Sequence, residues 1–247
     1  LLSFITDIIA STPISKNSRN LFVLTGRPAL GKSLLARNIS QHVAYSKAVD
    51  GDGYVRGTRA ERNKAEKSGN TKVKFLIDEQ LEDAKTLSTS REKVPIRTFR
   101  ALDGEVLIGG TSGKEVINPN IETVIWETAA FVGDISNFKT LSALSKNTFF
   151  LAAADVTGLV NRVTRDFIHH NLAGLPLKHF LKSDLRRLKD QMMRYNWPLM
   201  TLSDYVILIH ASPRESKYLS EFPFKYTYSV HKRIQPPYPD LAILRSI

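Results

Sequence analysis

The segment Gly26-Arg27-Pro28-Ala29-Leu30-Gly31-Lys32-Ser33 constrains this chain more than any other. It follows Leu21-Phe22-Val23-Leu24, a short apolar run of the kind buried in a parallel sheet. It precedes Leu34, Leu35, Ile39 and Val43, which recur at helical spacing. Two glycines flanking four variable residues, then Lys and Ser at the head of a helix, form a loop whose backbone N–H groups can surround phosphate oxygens. The positive end of the helix faces the same charge. Gly26 and Gly31 permit turns that a Cβ would obstruct. The spacing assigns residues Gly26 to Ser33 to the phosphates of ATP or GTP, with Lys32 on the β- and γ-phosphates and the Ser33 hydroxyl on Mg²⁺.

Further along, apolar runs recur at Thr123-Val124-Ile125-Trp126, Thr148-Phe149-Phe150-Leu151-Ala152 and Tyr205-Val206-Ile207-Leu208-Ile209, separated by helical patterns. Such alternation predicts an α/β fold of the P-loop NTPase type, a three-layer sandwich with a mainly parallel sheet and helices on both faces. A second short strand is expected near Lys47-Ala48-Val49. Residues 94–118, alternating around Asp103-Gly104 and Gly109-Gly110, predict a β-hairpin insertion. Residues 1–18 read as a short amphipathic helix and a polar turn, and residues 222–247, with Pro236-Pro237-Tyr238-Pro239, as an extended arm. The whole of 1–247 is expected to be one domain with these appendages.

A phosphate loop does not specify the fate of the phosphate. The loop, its helix and the next strand resemble the 5′-kinase domain of phage-type polynucleotide kinases, within the P-loop kinases. The similar residues are Gly26-x-Pro28-x-x-Gly31-Lys32-Ser33, Ala36-Arg37, and Asp52-Gly53-Tyr54 with Arg56 close behind. The resemblance covers about the first 56 residues and implies Asp52 as the general base on a 5′-hydroxyl and Arg56 as a substrate-phosphate ligand; the family's Arg stands one residue closer to the acid. Independently of it, an acid after the strand beside a phosphate loop lies where an acceptor must sit, and can take a hydroxyl proton or hold Mg²⁺. An Asp-Gly turn is the plain alternative. Asp155 to Arg165 resembles the lid of P-loop kinases, which implies that Arg162 and Arg165 close over the transferring phosphoryl. Ala211-Ser212-Pro213-Arg214 is the expected loop past the nucleotide base, by analogy alone.

Two rivals remain open. An AAA+/RecA-like motor or helicase would use Val73-Lys74-Phe75-Leu76-Ile77-Asp78-Glu79-Gln80 as a strand ending in two acids, with Glu127 or Asp155 as a sensor. The same stretch fits a partly buried helix through Leu76, Leu81 and Leu87. A nucleoside or nucleoside monophosphate kinase would share the loop and lid. A non-catalytic nucleotide-binding module is disfavoured by the intact Lys32 and Ser33.

Composition narrows the setting. With no cysteine among 247 residues, disulfides, thiolate metal sites and Cys nucleophiles are excluded. No apolar run approaches the ~20 residues that cross a bilayer, so no membrane partner is expected and a cytoplasmic setting is the default. A net charge of +11 favours a nucleic-acid partner, with solubility or an acidic neighbour in a larger assembly as the alternative. A chain that opens on Leu1 reads either as a fragment of a longer polypeptide, with neighbouring domains, or as one lacking only its start. Adjacent His169-His170 cannot share a helix face as a metal pair, and no Gly-x-Ser-x-Gly elbow supports hydrolase chemistry.

Overall fold

Seven consecutive buried residues, Asn20–Gly26, form β1, a strand with no face left to water. The structure, a computed structural model, describes residues 1–26, 30–51, 54, 77–97, 101–102, 105–106, 114–128, 131, 135–153, 197–213 and 224–232. Contacts group the chain into two compact units, residues 1–25 with 32–148, and residues 26–31 with 149–247.

In the first unit, α1 (Leu2–Ser11) buries Ile5 and Ile9, one helical turn apart, and packs on α2 (Lys32–His42), which buries Lys32, Ala36 and Ile39. Strand β2 (Ser46–Asp50) follows α2. Then come α3 (Ile77–Thr89), β3 (Val94–Arg97), β4 (Ala101–Leu102), β5 (Glu105–Val106), β6 (Lys114–Ile117), β7 (Thr123–Thr128) and α4 (Ile135–Leu144). Strand β7, buried at all six positions, lies between β1 and β2 and is parallel to both. Its register sets Trp126 against Val23 and Val49, and Glu127 against Leu24 and Asp50. Glu127 meets α2 through Lys32 and Ser33, whereas Trp126 meets α3 through Gln80. Successive strand residues point to opposite faces, so α2 and α3 lie on opposite sides of the sheet. With α4 packed on α3, the unit has three layers.

The expected insertion is present as two antiparallel ladders, β3 with β6 and β4 with β5. Of the two readings open for the stretch through Asp78 and Glu79, the structure has the helix. Both acids lie in the first turn of α3, where they complement the positive end of the helix dipole, and neither ends a strand.

In the second unit, β8 (Asn147–Ala153) runs parallel to β9 (Tyr205–Pro213) after the short helix α5 (Trp197–Leu202), and the rings of Phe149 and Tyr205 stack at 5.3 Å. Residues 224–232, within the expected arm, form β10 (Phe224–Lys232), antiparallel to β9. No described helix is long and apolar enough to cross a membrane.

Arg19 fastens the amino end of β1. It is 1% exposed, and its guanidinium donates to the backbone carbonyls of Ser90, Arg91, Glu92 and Asn118. Burial, then the neighbouring charge of Arg91, holds this guanidinium below its ordinary pKa. Four carbonyl dipoles offset that cost. The gain from these bonds is partly cancelled by the desolvation of the guanidinium, and a carbonyl left buried without a donor costs about 1–3 kcal/mol, so Arg19→Met should destabilise the protein by about 3 kcal/mol or more. Urea unfolding would show this as a lower midpoint at unchanged slope, and an unchanged midpoint would refute the assignment.

Candidate phosphate-binding site

The site is built where α2 begins beside the carboxyl end of β7. Lys32, the first residue of α2, is 5% exposed, and its Nζ lies 3.5 Å from Glu127 Oε1. The Ser33 hydroxyl donates to Glu127 Oε2 at 3.1 Å. Glu127, itself 2% exposed, is held by β7, whose neighbours on both sides leave it no route to solvent along the sheet. Thr25 and Thr128, one residue on in β1 and β7, are paired in register and fully buried. Asp50, opposite Glu127 on β2, is exposed.

A buried carboxylate touching both the loop lysine and the loop serine is a costly arrangement, since desolvating a charge costs several kcal/mol unless it is paired. Here the pairing joins the two side chains that the glycine loop assigns to phosphate and to Mg²⁺. Glu127 and Ser33 are hard oxygen donors, and Mg²⁺ is typically held by one or two protein oxygens together with substrate phosphates and water. The donor set therefore fits Mg²⁺. Among the described residues, no group of three or more His, Asp or Glu side chains forms a self-sufficient metal cage.

The loop glycines meet the conformational demand. Gly26 has φ +127° and Gly31 φ +77°, both in the region that L side chains avoid. A Cβ on Gly26 would also collide with the backbone carbonyl of Leu151. Gly26→Ala should destabilise the protein by about 3 kcal/mol or more, because the strained dihedral and the backbone collision add. Thermal unfolding with and without nucleotide measures it, and a wild-type midpoint with intact nucleotide binding would refute the assignment.

Of the residues expected from sequence, Gly26, Leu30, Gly31, Lys32 and Ser33 are described, and Lys32 and Ser33 converge on one carboxylate. Arg27, Pro28, Ala29, Asp52, Arg56, Asp155, Arg162 and Arg165 lie outside the described residues. Glu127 entered the sequence reading only as one of two sensor positions, with Asp155, in the rival motor, and the structure sets it against Lys32 and Ser33. Its signal was present in Thr123-Val124-Ile125-Trp126-Glu127, an apolar run ending in an acid, the pattern sought instead at residues 75–79.

No protein-family model matches the chain, and a search of curated proteins finds no match. Solved structures do match. A protein assigned as a fructose transport system kinase from Silicibacter sp. TM1040 aligns with TM-score 0.59 and 18% identity over 79% of this chain and 95% of that one. Phosphoribulokinase from Rhodobacter spheroides aligns with TM-score 0.60 and 13% identity over 94% and 86%. D-glycerate 3-kinase from Cryptococcus neoformans aligns with TM-score 0.50 and 12% identity over 85% and 92%. At these identities the likeness establishes the fold, an α/β P-loop kinase fold with a mainly parallel sheet.

Proposed function

We propose that this protein is a kinase that moves the γ-phosphoryl group of ATP or GTP to a hydroxyl. The observation that carries the reading is the buried contact of Glu127 with both Lys32 and Ser33, which presets the phosphate and metal ligands together. Lys32 exchanges its carboxylate for the β- and γ-phosphates and offsets charge as it develops there. Ser33 and Glu127 hold Mg²⁺, which neutralises phosphate charge when bound. Asp52, two residues beyond the end of β2, accepts the hydroxyl proton of the acceptor, Arg56 binds an acceptor phosphate, and Arg162 and Arg165 clamp the transferring group.

Solved structures of similar fold are named as a fructose transport system kinase, a phosphoribulokinase and a D-glycerate 3-kinase, which supports a small polyhydroxylated acceptor. A second reading, the 5′-hydroxyl end of RNA or DNA, is favoured by the net charge of +11. A motor is disfavoured because Asp78 and Glu79 open α3.

Asp52→Ala separates a kinase from a motor, whose NTP hydrolysis it would leave largely intact. It should lower transfer to the hydroxyl acceptor by about 10²–10⁴-fold, the usual contribution of a general base, while nucleotide binding persists. Undiminished transfer in the variant would remove Asp52 from the mechanism.

A further inference from the structure

The face of β7 opposite Glu127 carries a buried polar cluster that the phosphate-transfer chemistry leaves unused. The Trp126 indole N–H donates to Gln80 Oε1 on α3 at 3.4 Å, and its ring centroid lies 5.6 Å from that of Tyr54. Tyr54 is fully buried, its hydroxyl donating to Asp83 Oδ2 at 2.7 Å and its backbone N–H to the Gly51 carbonyl at 3.1 Å. Gly51 is buried as well, and a Cβ there would stand 2.8 Å from each of Gln80 Oε1, Thr128 Cβ and Trp126 Nε1. The chain leaving β2 thus passes directly against the end of β7, with no room for a side chain.

Apolar residues could fill such a core without the cost of burying a carboxylate, a carboxamide and a phenol. What the polar groups add is direction, because a hydrogen bond fixes position where dispersion contacts allow sliding. The two fastened residues, Gly51 and Tyr54, bracket Asp52 and Gly53 in the chain.

We propose that Tyr54, Asp83, Gln80 and Trp126 are positioning residues that fasten Gly51 and Tyr54, the chain neighbours on either side of Asp52-Gly53, to β7 and α3, and that the acceptor chemistry read at Asp52 depends on this fastening. The catalytic consequence rests on the kinase reading and on Asp52, but the fastening itself does not. A misplacement of about 1 Å at a reacting group can cost about 10²-fold in rate, so a loosened bracket should be visible in turnover.

Three variants of the full chain test it. Tyr54→Phe and Asp83→Leu remove the hydroxyl–carboxylate bond, whereas Asp83→Asn keeps an acceptor oxygen. Hydrogen exchange of peptides spanning 50–56 is measured together with kcat and the KM for MgATP, using whichever small polyol or 5′-hydroxyl oligonucleotide the wild type phosphorylates. In Tyr54→Phe and Asp83→Leu, exchange over 50–56 should rise about tenfold while β1 and β7 stay as in wild type, and kcat should fall about tenfold at a KM for MgATP within about twofold. Asp83→Asn should restore both. Wild-type exchange over 50–56 in the first two variants, or an equal rise throughout the unit, would overturn the proposal, the second outcome marking an ordinary core contact. If the wild type phosphorylates no hydroxyl, the kinase reading fails while the exchange arm still decides the fastening. Loosened exchange with unchanged kcat would overturn the positioning role alone.

Discussion

Lys32→Met should lower phosphoryl transfer by about 10³-fold or more, since fixed cations on a transferring phosphoryl group contribute about 10³–10⁵ in rate where they have been removed. Methionine keeps the length of the apolar stem and deletes the charge. Lys32 is 5% exposed, so bulk water cannot substitute for the missing ammonium as it would at a surface site. The deletion also withdraws the cation 3.5 Å from Glu127, and breaking a buried pair costs about 3–5 kcal/mol where the remaining charge stays ionised and buried. A partial loss of stability should therefore accompany the loss of activity. Steady-state transfer from γ-labelled ATP, with urea unfolding alongside, measures both. A folded Lys32→Met protein with wild-type turnover would end any account in which this lysine meets the phosphates.

Glu127→Gln should reduce kcat by about 10²-fold and weaken the apparent Mg²⁺ affinity by about 10–100-fold, the range seen when a group that orders a metal site is altered. The amide keeps the shape of the side chain and can still accept the Ser33 hydroxyl, so the packing of β7 between β1 and β2 is preserved. What is lost is the negative charge shared by Lys32 and the metal ligands. Titrating Mg²⁺ against turnover at saturating nucleotide reads the effect. A variant with unchanged Mg²⁺ dependence would reduce Glu127 to a structural partner of Lys32.

The glycine loop was legible in sequence because a phosphate cradle demands particular residues at fixed spacing, and the flanking strand follows from the apolar run Leu21–Leu24; the helix was also foreseen, but of Leu34, Leu35, Ile39 and Val43, read at helical spacing, it buries Ile39 and leaves Leu34 exposed. The hairpin insertion was legible from period-two alternation. Helix α3 was ambiguous for a physical reason. Two positions on its buried side, Gln80 and Asp83, are polar, and they are buried because they serve Trp126 and Tyr54 across space. A contact between residues 46 positions apart leaves no local signature.

Glu127 was hidden in the same way. Several apolar runs in the chain end near an acid, and only the order of the strands, with β7 between β1 and β2, brings this one to Lys32 and Ser33. The paired stretch of β10 was obscured by the prolines beyond it. Phe224-Lys225-Tyr226-Thr227-Tyr228-Ser229-Val230 alternates as a strand should, but Pro236-Pro237 suggested an arm from the outset.

The most direct test of the central claim tracks the γ-phosphoryl group itself. The protein is incubated with Mg²⁺ and γ-labelled ATP or GTP against separate panels of small polyols, sugar acids, nucleosides and a 5′-hydroxyl oligonucleotide, and label is counted on acceptor and in free phosphate. The predicted result is label covalently bound to one hydroxyl class, dependent on Lys32, Glu127 and Asp52. Label appearing only as free phosphate, above all if nucleic acid accelerates its release, would contradict the kinase reading and identify an NTP-hydrolysing machine instead.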